Sequence, residues 1–265
     1  MKNSSLSKTL MVAISIIFIC SLMVSSAVSI LRPIQTAHKA PQQFRTILLA
    51  AGLVSSADKA KTEENMSLFQ QVEPRILTLS DATLAIHINE QGYDYRQFIE
   101  DPNASTPINK KEDLARLGRR PKHMPIYWIH SSLSKAKLVL PIYGKGMWSM
   151  IHGYIALEQD LNTIVGIQFY DLAETPGIGD RILDKTWLDG WQGKQLYDAK
   201  GNLAFKFGNM SNSTDQMLSR YQVDSITGAT ITVNALANII EFWFGENAYG
   251  PFLEQQSIKK QDAEG

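Results

Sequence analysis

A cluster of hydroxyl side chains around a Gly-Ala pair is the stretch of this sequence best suited to hold an anion. The cluster comprises Ser225, Thr227, Gly228, Ala229, Thr230 and Thr232. Residues 233–244 place apolar side chains at helical spacing, which predicts a helix that begins close to Thr230. Backbone N–H groups at a helix N-terminus lack intrahelical partners and lie at the positive end of the helix dipole. A phosphate would therefore be stabilised there without a lysine or arginine.

The same residues have an ordinary structural interpretation. Serine and threonine before a helix are frequent N-caps, because their side-chain oxygens accept hydrogen bonds from the first N–H groups. Gly228 favours a ligand site only modestly, since glycine permits positive φ and close approach of a ligand. The residue types alone leave a helix cap and a phosphate site both open.

Two glycine-bearing loops are further candidates for ligand contacts, because glycine permits backbone geometry that other residues avoid. The first spans 144–149 and the second spans 174–179. The first loop lacks the glycine spacing of a dinucleotide or Walker loop, so NAD and ATP are poorly supported. The candidate contact residues in the two loops are Gly144, Lys145, Trp148, Glu174, Thr175, Gly177 and Ile178.

Other familiar chemistries find little support in the chain. Its five histidines have no metal-ligand spacing, and its one cysteine, Cys20, lies in an apolar run. No nucleophile elbow or paired carboxylates indicate hydrolysis. Basic and acidic residues number 26 each, which argues against a nucleic-acid partner. A flavin suits this inventory, because its ring brings its own redox chemistry and asks the protein for binding and orientation.

The N-terminal segment Thr9–Leu31 contains no charged residue and is rich in aliphatic side chains. It is long enough to cross a bilayer as one helix, which takes about 20 residues. A cleaved signal peptide is the alternative, with small residues at 25–27 as a cleavage site. We favour an uncleaved anchor, because the apolar stretch exceeds the usual signal core of about 7–15 residues. Flanking positive charges are nearly balanced, so they do not settle the orientation.

The elements that must position the candidate residues predict an α+β fold. Four β-type runs follow one another without long intervening helices, which favours an antiparallel meander over a doubly wound parallel sheet. These runs are 126–129, 136–143, 151–157 and 164–170. Flanking them, the pattern predicts strands within 72–88, helices over 42–54 and 180–191, a strand over 202–207 and loops over 101–111 and 210–220. The basic run 113–120 is interpreted as solvated surface or, alternatively, a contact with a partner protein.

The run Asp224–Thr232 resembles the flavinylation motif of the FMN-binding domain family. The resemblance implies that Thr230 carries FMN through a phosphoester bond. Further motifs, in the same order, are similar to the C subunit of sodium-translocating NADH:quinone oxidoreductases. They are 47–53, 113–120, 140–149, 153–157, 174–179 and 242–253. This chain departs from the family at Thr227, where serine is frequent, at Ile178, where leucine is frequent, and at 171–173.

This resemblance implies a single-pass protein of the bacterial inner membrane. Its predicted organisation is a cytoplasmic N-terminus at 1–8, a transmembrane helix at 9–31, a connector with a short helix at 32–71, a periplasmic FMN-binding domain at 72–254 and a polar tail at 255–265. The implied partners are the other subunits of the complex, designated A, B, D, E and F, and a flavin transferase that attaches the cofactor. The implied role is electron relay toward ubiquinone in a sodium pump. Two alternatives remain: the G subunit of an Rnf complex, and an anchored scaffold module without cofactor.

Overall fold

The computed structural model describes residues 3–55, 68, 71–90, 93–131, 134–208 and 219–264. The chain divides into two compact units, Met1–Phe44 and Arg45–Gly265. Most of the predicted polar connector before residue 72 lies outside the described residues, as does most of the predicted loop at 210–220. Residues 45–55 belong to the larger unit, so the domain includes more of the chain than the predicted start at residue 72.

The first element is the helix α1, Asn3–Ala50. Within it, Lys8–Ser26 has a mean hydropathy of 2.3 and is the one described segment long and apolar enough to cross a membrane. The predicted short helix at 42–54 is not separate, since its first residues continue α1 to Ala50. Its apolar side chains Ile47 and Leu48 are buried, as predicted for a segment that docks on the domain. The helix end packs closely, because a Cβ on Gly166 would lie 2.8 Å from the Ala50 carbonyl oxygen.

A six-stranded antiparallel sheet forms the centre of the larger unit. Its strands are β1 (Val72–Thr78), β2 (Thr83–Leu84), β5 (His123–Ser131), β6 (Ser134–Lys145), β7 (Met150–Leu157) and β8 (Ile164–Asp171). The order across the sheet is β2-β1-β5-β6-β7-β8. Consecutive strands β5 to β8 pair as neighbours, which confirms the predicted meander. A small hairpin pairs β3 (Ser105–Pro107) with β4 (Arg119–Pro121). Strand β3 lies within the predicted loop at 101–111, and β4 lies beyond it.

The C-terminal part supplies the helices that cover the sheet. It contains a 3-10 helix at Gly179–Leu183, α2 (Lys185–Asp189), the parallel pair β9 (Lys206–Gly208) and β10 (Gln222–Asp224), α3 (Thr230–Phe244) and α4 (Gly250–Glu264). Helix α3 packs on β6, and the Trp243 indole N–H donates to the Tyr143 carbonyl oxygen at 2.7 Å. The predicted helix over 233–244 is therefore confirmed and begins at Thr230. The fold is α+β, as the sequence predicts.

Three predicted elements differ in the structure. Strand β2 ends at Leu84, so residues 85–88 are not a strand as predicted. Ile86 is 90% exposed. The single helix expected over 180–191 is split into the 3-10 helix and α2, with Asp184 in extended conformation between them. The polar tail expected from residue 255 continues as helix α4 to Glu264.

Candidate functional site

The N-terminus of α3 carries the hydroxyl cluster at the protein surface. Thr230 is the first residue of the helix and is exposed, and the N-cap Ala229 provides no side-chain hydrogen bond. Gly228 has φ +86, with open space on the side where a Cβ would point. Among the described residues, none accepts a hydrogen bond from the backbone N–H groups of 230–232. The helix start therefore offers N–H donors and an accessible hydroxyl, an arrangement that suits a phosphate group.

Thr232, only two residues further on, has a different environment. Its side chain is 2% exposed, and its hydroxyl donates to Glu174 Oε2 at 2.8 Å. Glu174 is itself 6% exposed and lies in the second glycine-bearing loop. Because buried polar groups are costly unless they are hydrogen-bonded, this pair fixes the loop to the first turn of α3.

The second oxygen of Glu174 holds the first glycine-bearing loop. Glu174 Oε1 accepts a hydrogen bond from the Trp148 backbone N–H at 3.2 Å. The contact is possible because Gly146 has no side chain: a Cβ there would lie 2.5 Å from Glu174 Oε1. Gly179 is similarly constrained, since its Cβ would lie 2.9 Å from Thr232 Oγ1. One buried carboxylate thus joins both loops to the helix start, an arrangement we call the Glu174 clamp.

Trp148 presents its ring at the surface beside this clamp. The side chain is 65% exposed, and its indole N–H donates to Thr175 Oγ1 at 3.0 Å. Ile178, in the same second loop, is 46% exposed. Large apolar side chains held in place at the surface are available to cover the ring of an aromatic ligand.

The remaining predicted residues divide into surface and interior positions. Ser225, Thr227 and Gly177 are exposed, and Gly177 has φ +74. Lys145 is half-buried, and its ammonium donates to the Trp148 carbonyl oxygen at 3.3 Å. Gly144 is buried inside β6, where an added Cβ would collide with Ile239 of α3, so the contact visible there is helix packing.

Thr175 is predicted to contact a ligand through its backbone, and its carbonyl oxygen is engaged within the loop. It accepts hydrogen bonds from the N–H groups of Ile178, Gly179 and Asp180, at 2.9 to 3.3 Å. Its side chain is also engaged, as the acceptor for the Trp148 indole. Thr175 therefore shapes the loop and orients Trp148.

Sequence reasoning included Thr232 in the hydroxyl cluster but missed its buried, positioning role, and it did not connect Trp187 with the cluster. Thr232 falls four residues before Leu236 on the buried stripe of α3, and a polar residue on such a stripe signals a buried partner. Trp187 of α2 donates its indole N–H to the Asp224 carbonyl oxygen at 2.8 Å, which fixes the chain immediately before Ser225. No sequence pattern pointed to that contact, since it joins residues that are 37 apart.

Comparison with known protein families identifies the class of this domain. Residues 146–245 match the model of the family described as FMN-binding domain. The matched segment contains Trp148, the second glycine-bearing loop, the hydroxyl cluster and α3. It therefore coincides with the elements that the Glu174 clamp joins.

Relatives that match nearly the whole chain identify the family more specifically. The chain is 33% identical to the Na(+)-translocating NADH-quinone reductase C subunit of Haemophilus ducreyi, over 95% of this chain and 94% of that protein. It is 33% identical to the C subunit of Pseudomonas aeruginosa, over 98% and 99% of the two chains. The crystal structure of NqrC from Shewanella oneidensis superposes with a TM-score of 0.73 at 34% identity, covering 84% of this chain and 99% of that one. The chain belongs to the NqrC family, the C subunits of the Na(+)-translocating NADH-quinone reductases.

Proposed function

We propose that the protein is the electron-transferring flavoprotein subunit of a sodium-translocating NADH:quinone reductase, with FMN joined to Thr230 by a phosphoester bond. Family membership supports the subunit and its cofactor. The observation that carries the attachment point is the contrast between the two threonines at the start of α3. The Thr230 hydroxyl is exposed and has no hydrogen-bond partner among the described residues, whereas Thr232 is buried against Glu174.

The residues of this chain fit such a cofactor. The N–H groups of the first turn of α3 would bind the phosphate, and Gly228 leaves room for it. Trp148 and Ile178 would contact the ring from the two loops that the Glu174 clamp holds. When bound, FMN supplies one-electron redox chemistry. The protein would bind and orient the cofactor, and would catalyse no reaction alone.

The attachment point is tested by matched threonine variants of the full chain, expressed with a flavin transferase that uses FAD. Thr230→Ala should abolish the fluorescent flavin band on a denaturing gel, because no hydroxyl remains to form the ester. Thr230→Ser should retain part of the band, and Thr186→Ala, which removes an exposed hydroxyl of α2 outside the motif, should retain all of it. A persistent band in Thr230→Ala would assign the attachment to another residue. A wild-type chain without flavin would favour the scaffold alternative.

The relay itself is tested in membranes that contain the assembled complex. With Thr230→Ala we expect loss of NADH-driven quinone reduction and sodium uptake, while NADH oxidation by an artificial acceptor continues. That combination would locate the block downstream of the NADH site, as a relay toward ubiquinone requires. Normal quinone reduction by the variant would contradict the relay role.

We further propose that Lys8–Ser26 lies within a single membrane anchor, with the N-terminus in the cytoplasm and the FMN-binding domain in the periplasm. The apolar, outward-facing side chains of this helix support an anchor, since Leu10, Ile14 and Phe18 are 58 to 67% exposed. Protease added to intact spheroplasts should digest the domain. If the domain survives until the membrane is permeabilised, the orientation is the opposite of the one proposed.

A further inference from the structure

The β3–β4 hairpin presents two adjacent arginines with contrasting environments. Arg119 donates from Nε to Ser105 Oγ at 2.8 Å and from Nη2 to the Ser105 carbonyl oxygen at 3.0 Å. Arg120 is also half-buried, yet none of the described residues accepts a hydrogen bond from it or forms an ion pair with it. Burial lowers the pKa of Arg120, and only the nearby Tyr143 opposes that shift. A guanidinium that is partly withdrawn from water is stabilised by a carboxylate, so Arg120 is available to bind one at the cavity.

Arg120 lines a cavity of about 180 Å³ together with neutral polar side chains and the exposed Glu112, which does not pair with it. Thr106, its cross-strand partner, contributes a hydroxyl, while Asn109 and Asn247 contribute amides. The Asn109 Oδ1 atom already accepts from the Lys111 N–H at 3.2 Å, which leaves its NH₂ group as a donor. Phe242 of α3 forms an apolar wall. Cation, neutral donors and apolar wall together suit the head of one acidic side chain.

The loop between β3 and β4 holds Arg120 in place before any partner arrives. The Asp113 carboxylate accepts the N–H groups of Leu117 at 2.7 Å and Gly118 at 2.8 Å. The Ile108 N–H donates to the Gly118 carbonyl oxygen at 3.0 Å, which closes the base of the loop. These bonds fix the backbone that carries Arg120, so binding would order the Arg120 side chain but not the loop.

We infer that this cavity, the Arg120 socket, receives an aspartate or glutamate side chain from another subunit of the complex. The inference rests on the proposed function only in assuming that such a complex exists. The socket is smaller than pockets for small-molecule ligands, which span about 300–1,000 Å³. A single guanidinium flanked by neutral donors matches a planar, singly charged carboxylate, which it can bind through two parallel hydrogen bonds.

The test uses the tagged full-length chain expressed with the other subunits and extracted in mild detergent. Arg120→Gln should weaken retention of those subunits by about 30-fold or more, because truncating one partner of a buried charge pair costs at least that much. The matched control is Arg116→Gln, which removes an exposed arginine of the same loop and should leave retention close to that of the wild type. In the isolated chain, Arg120→Gln should not lower the thermal unfolding midpoint, since the native residue has no partner there.

A second variant keeps the inference testable if Arg120→Gln unfolds. Asn247→Asp places a carboxylate in the socket, so it should raise the unfolding midpoint of the isolated chain and weaken subunit retention. Retention at wild-type level in Asn247→Asp or in a folded Arg120→Gln would overturn the inference, and so would equal losses in Arg116→Gln and Arg120→Gln. The inference would also be overturned if Arg120→Gln lost binding to anionic lipid vesicles while its subunit retention stayed unchanged. Covalent flavin is measured separately. If the wild type carries no flavin but its subunit retention still depends on Arg120, the proposed cofactor attachment is refuted and the Arg120 socket is supported.

Discussion

The Glu174 clamp makes a quantitative prediction, because one buried side chain joins three segments of the site. Glu174→Ala removes the acceptor of the Thr232 hydroxyl and of the Trp148 N–H. Glu174→Gln keeps the shape of the side chain and removes its charge: the amide oxygen can still accept from the Trp148 N–H, and the NH₂ group can donate to the Thr232 hydroxyl. The two variants therefore separate loss of the side chain from loss of the charge that strengthens both hydrogen bonds.

The expected magnitudes follow from these contacts. A hydrogen bond to a charged group contributes about 1.5–3 kcal/mol, and a buried donor left unpaired costs about 1–3 kcal/mol. The Trp148 N–H bond is long at 3.2 Å and only partly buried, so the Thr232 bond at 2.8 Å should dominate. We expect Glu174→Ala to lower the free energy of unfolding by about 3 kcal/mol, and Glu174→Gln by about 1–2 kcal/mol. Both are large against a typical domain stability of about 5–15 kcal/mol.

The assay is denaturant unfolding of the full chain in detergent, followed by tryptophan fluorescence. Thr232→Val removes the hydroxyl with little change of shape, and a double-mutant cycle with Glu174→Gln should give a coupling energy of about 1 kcal/mol or more. Thr227→Val, which alters an exposed hydroxyl of the same motif, should change stability by less than about 0.5 kcal/mol. Additive effects of the Glu174 and Thr232 substitutions, together with undiminished flavin attachment, would refute the clamp.

Two further predictions concern the same unit. Gly146→Ala should lower stability by about 1–3 kcal/mol in the same unfolding assay and reduce flavin attachment, because its Cβ would lie 2.5 Å from Glu174 Oε1. Gly146 does not have positive φ, so this cost is steric. Burial lowers the pKa of His152 from 6.5 to about 4, with Asp171 as the main opposing influence, so the unfolded chain binds the extra proton first. Stability should therefore fall as pH drops below about 6.5 and level off below about 4, by roughly 3 kcal/mol in all. His152→Gln should remove this dependence and the exposed His87→Gln should preserve it; an unchanged slope in His152→Gln would assign it to other groups.

The sequence predicted those parts of the fold that follow from local periodicity. The meander of β5 to β8 and helix α3 were predicted within a few residues, because alternation and the 3.6-residue stripe are read directly from neighbouring side chains. The split at Asp184 was not predicted, since the i, i+4 spacing of Leu183 and Trp187 fits one helix. The hairpin of β3 and β4 was not predicted either. Its strands have three residues each and end at Pro107 and Pro121, so they are too short to show an alternating pattern.

The candidate site shows a comparable division. The position of Thr230 at a helix start and the turn at Gly228 follow from the helical spacing and a glycine, so both were predicted from the sequence. Glu174 was expected to contact a ligand, whereas the structure gives both of its oxygens to other parts of the chain. To distinguish a ligand contact from an internal clamp, one must know that Glu174 and Thr232, which are 58 residues apart in sequence, are in contact. Local sequence patterns do not contain that information.

The two threonines of α3 show how the clamp and the proposed attachment depend on each other. Residues two apart on an α-helix point about 200° apart, so a helix that buries one threonine turns the other outward. The bond from Thr232 to Glu174 fixes the rotation of the first turn about its axis, and the exposed position of Thr230 follows from it. Loss of the Glu174 acceptor should therefore impair flavin attachment at Thr230, although Glu174 is buried and need not contact the flavin. Thr232→Ser, which retains a hydroxyl for Glu174, should preserve attachment better than Thr232→Val; equal attachment in both would show that this hydrogen bond does not orient Thr230.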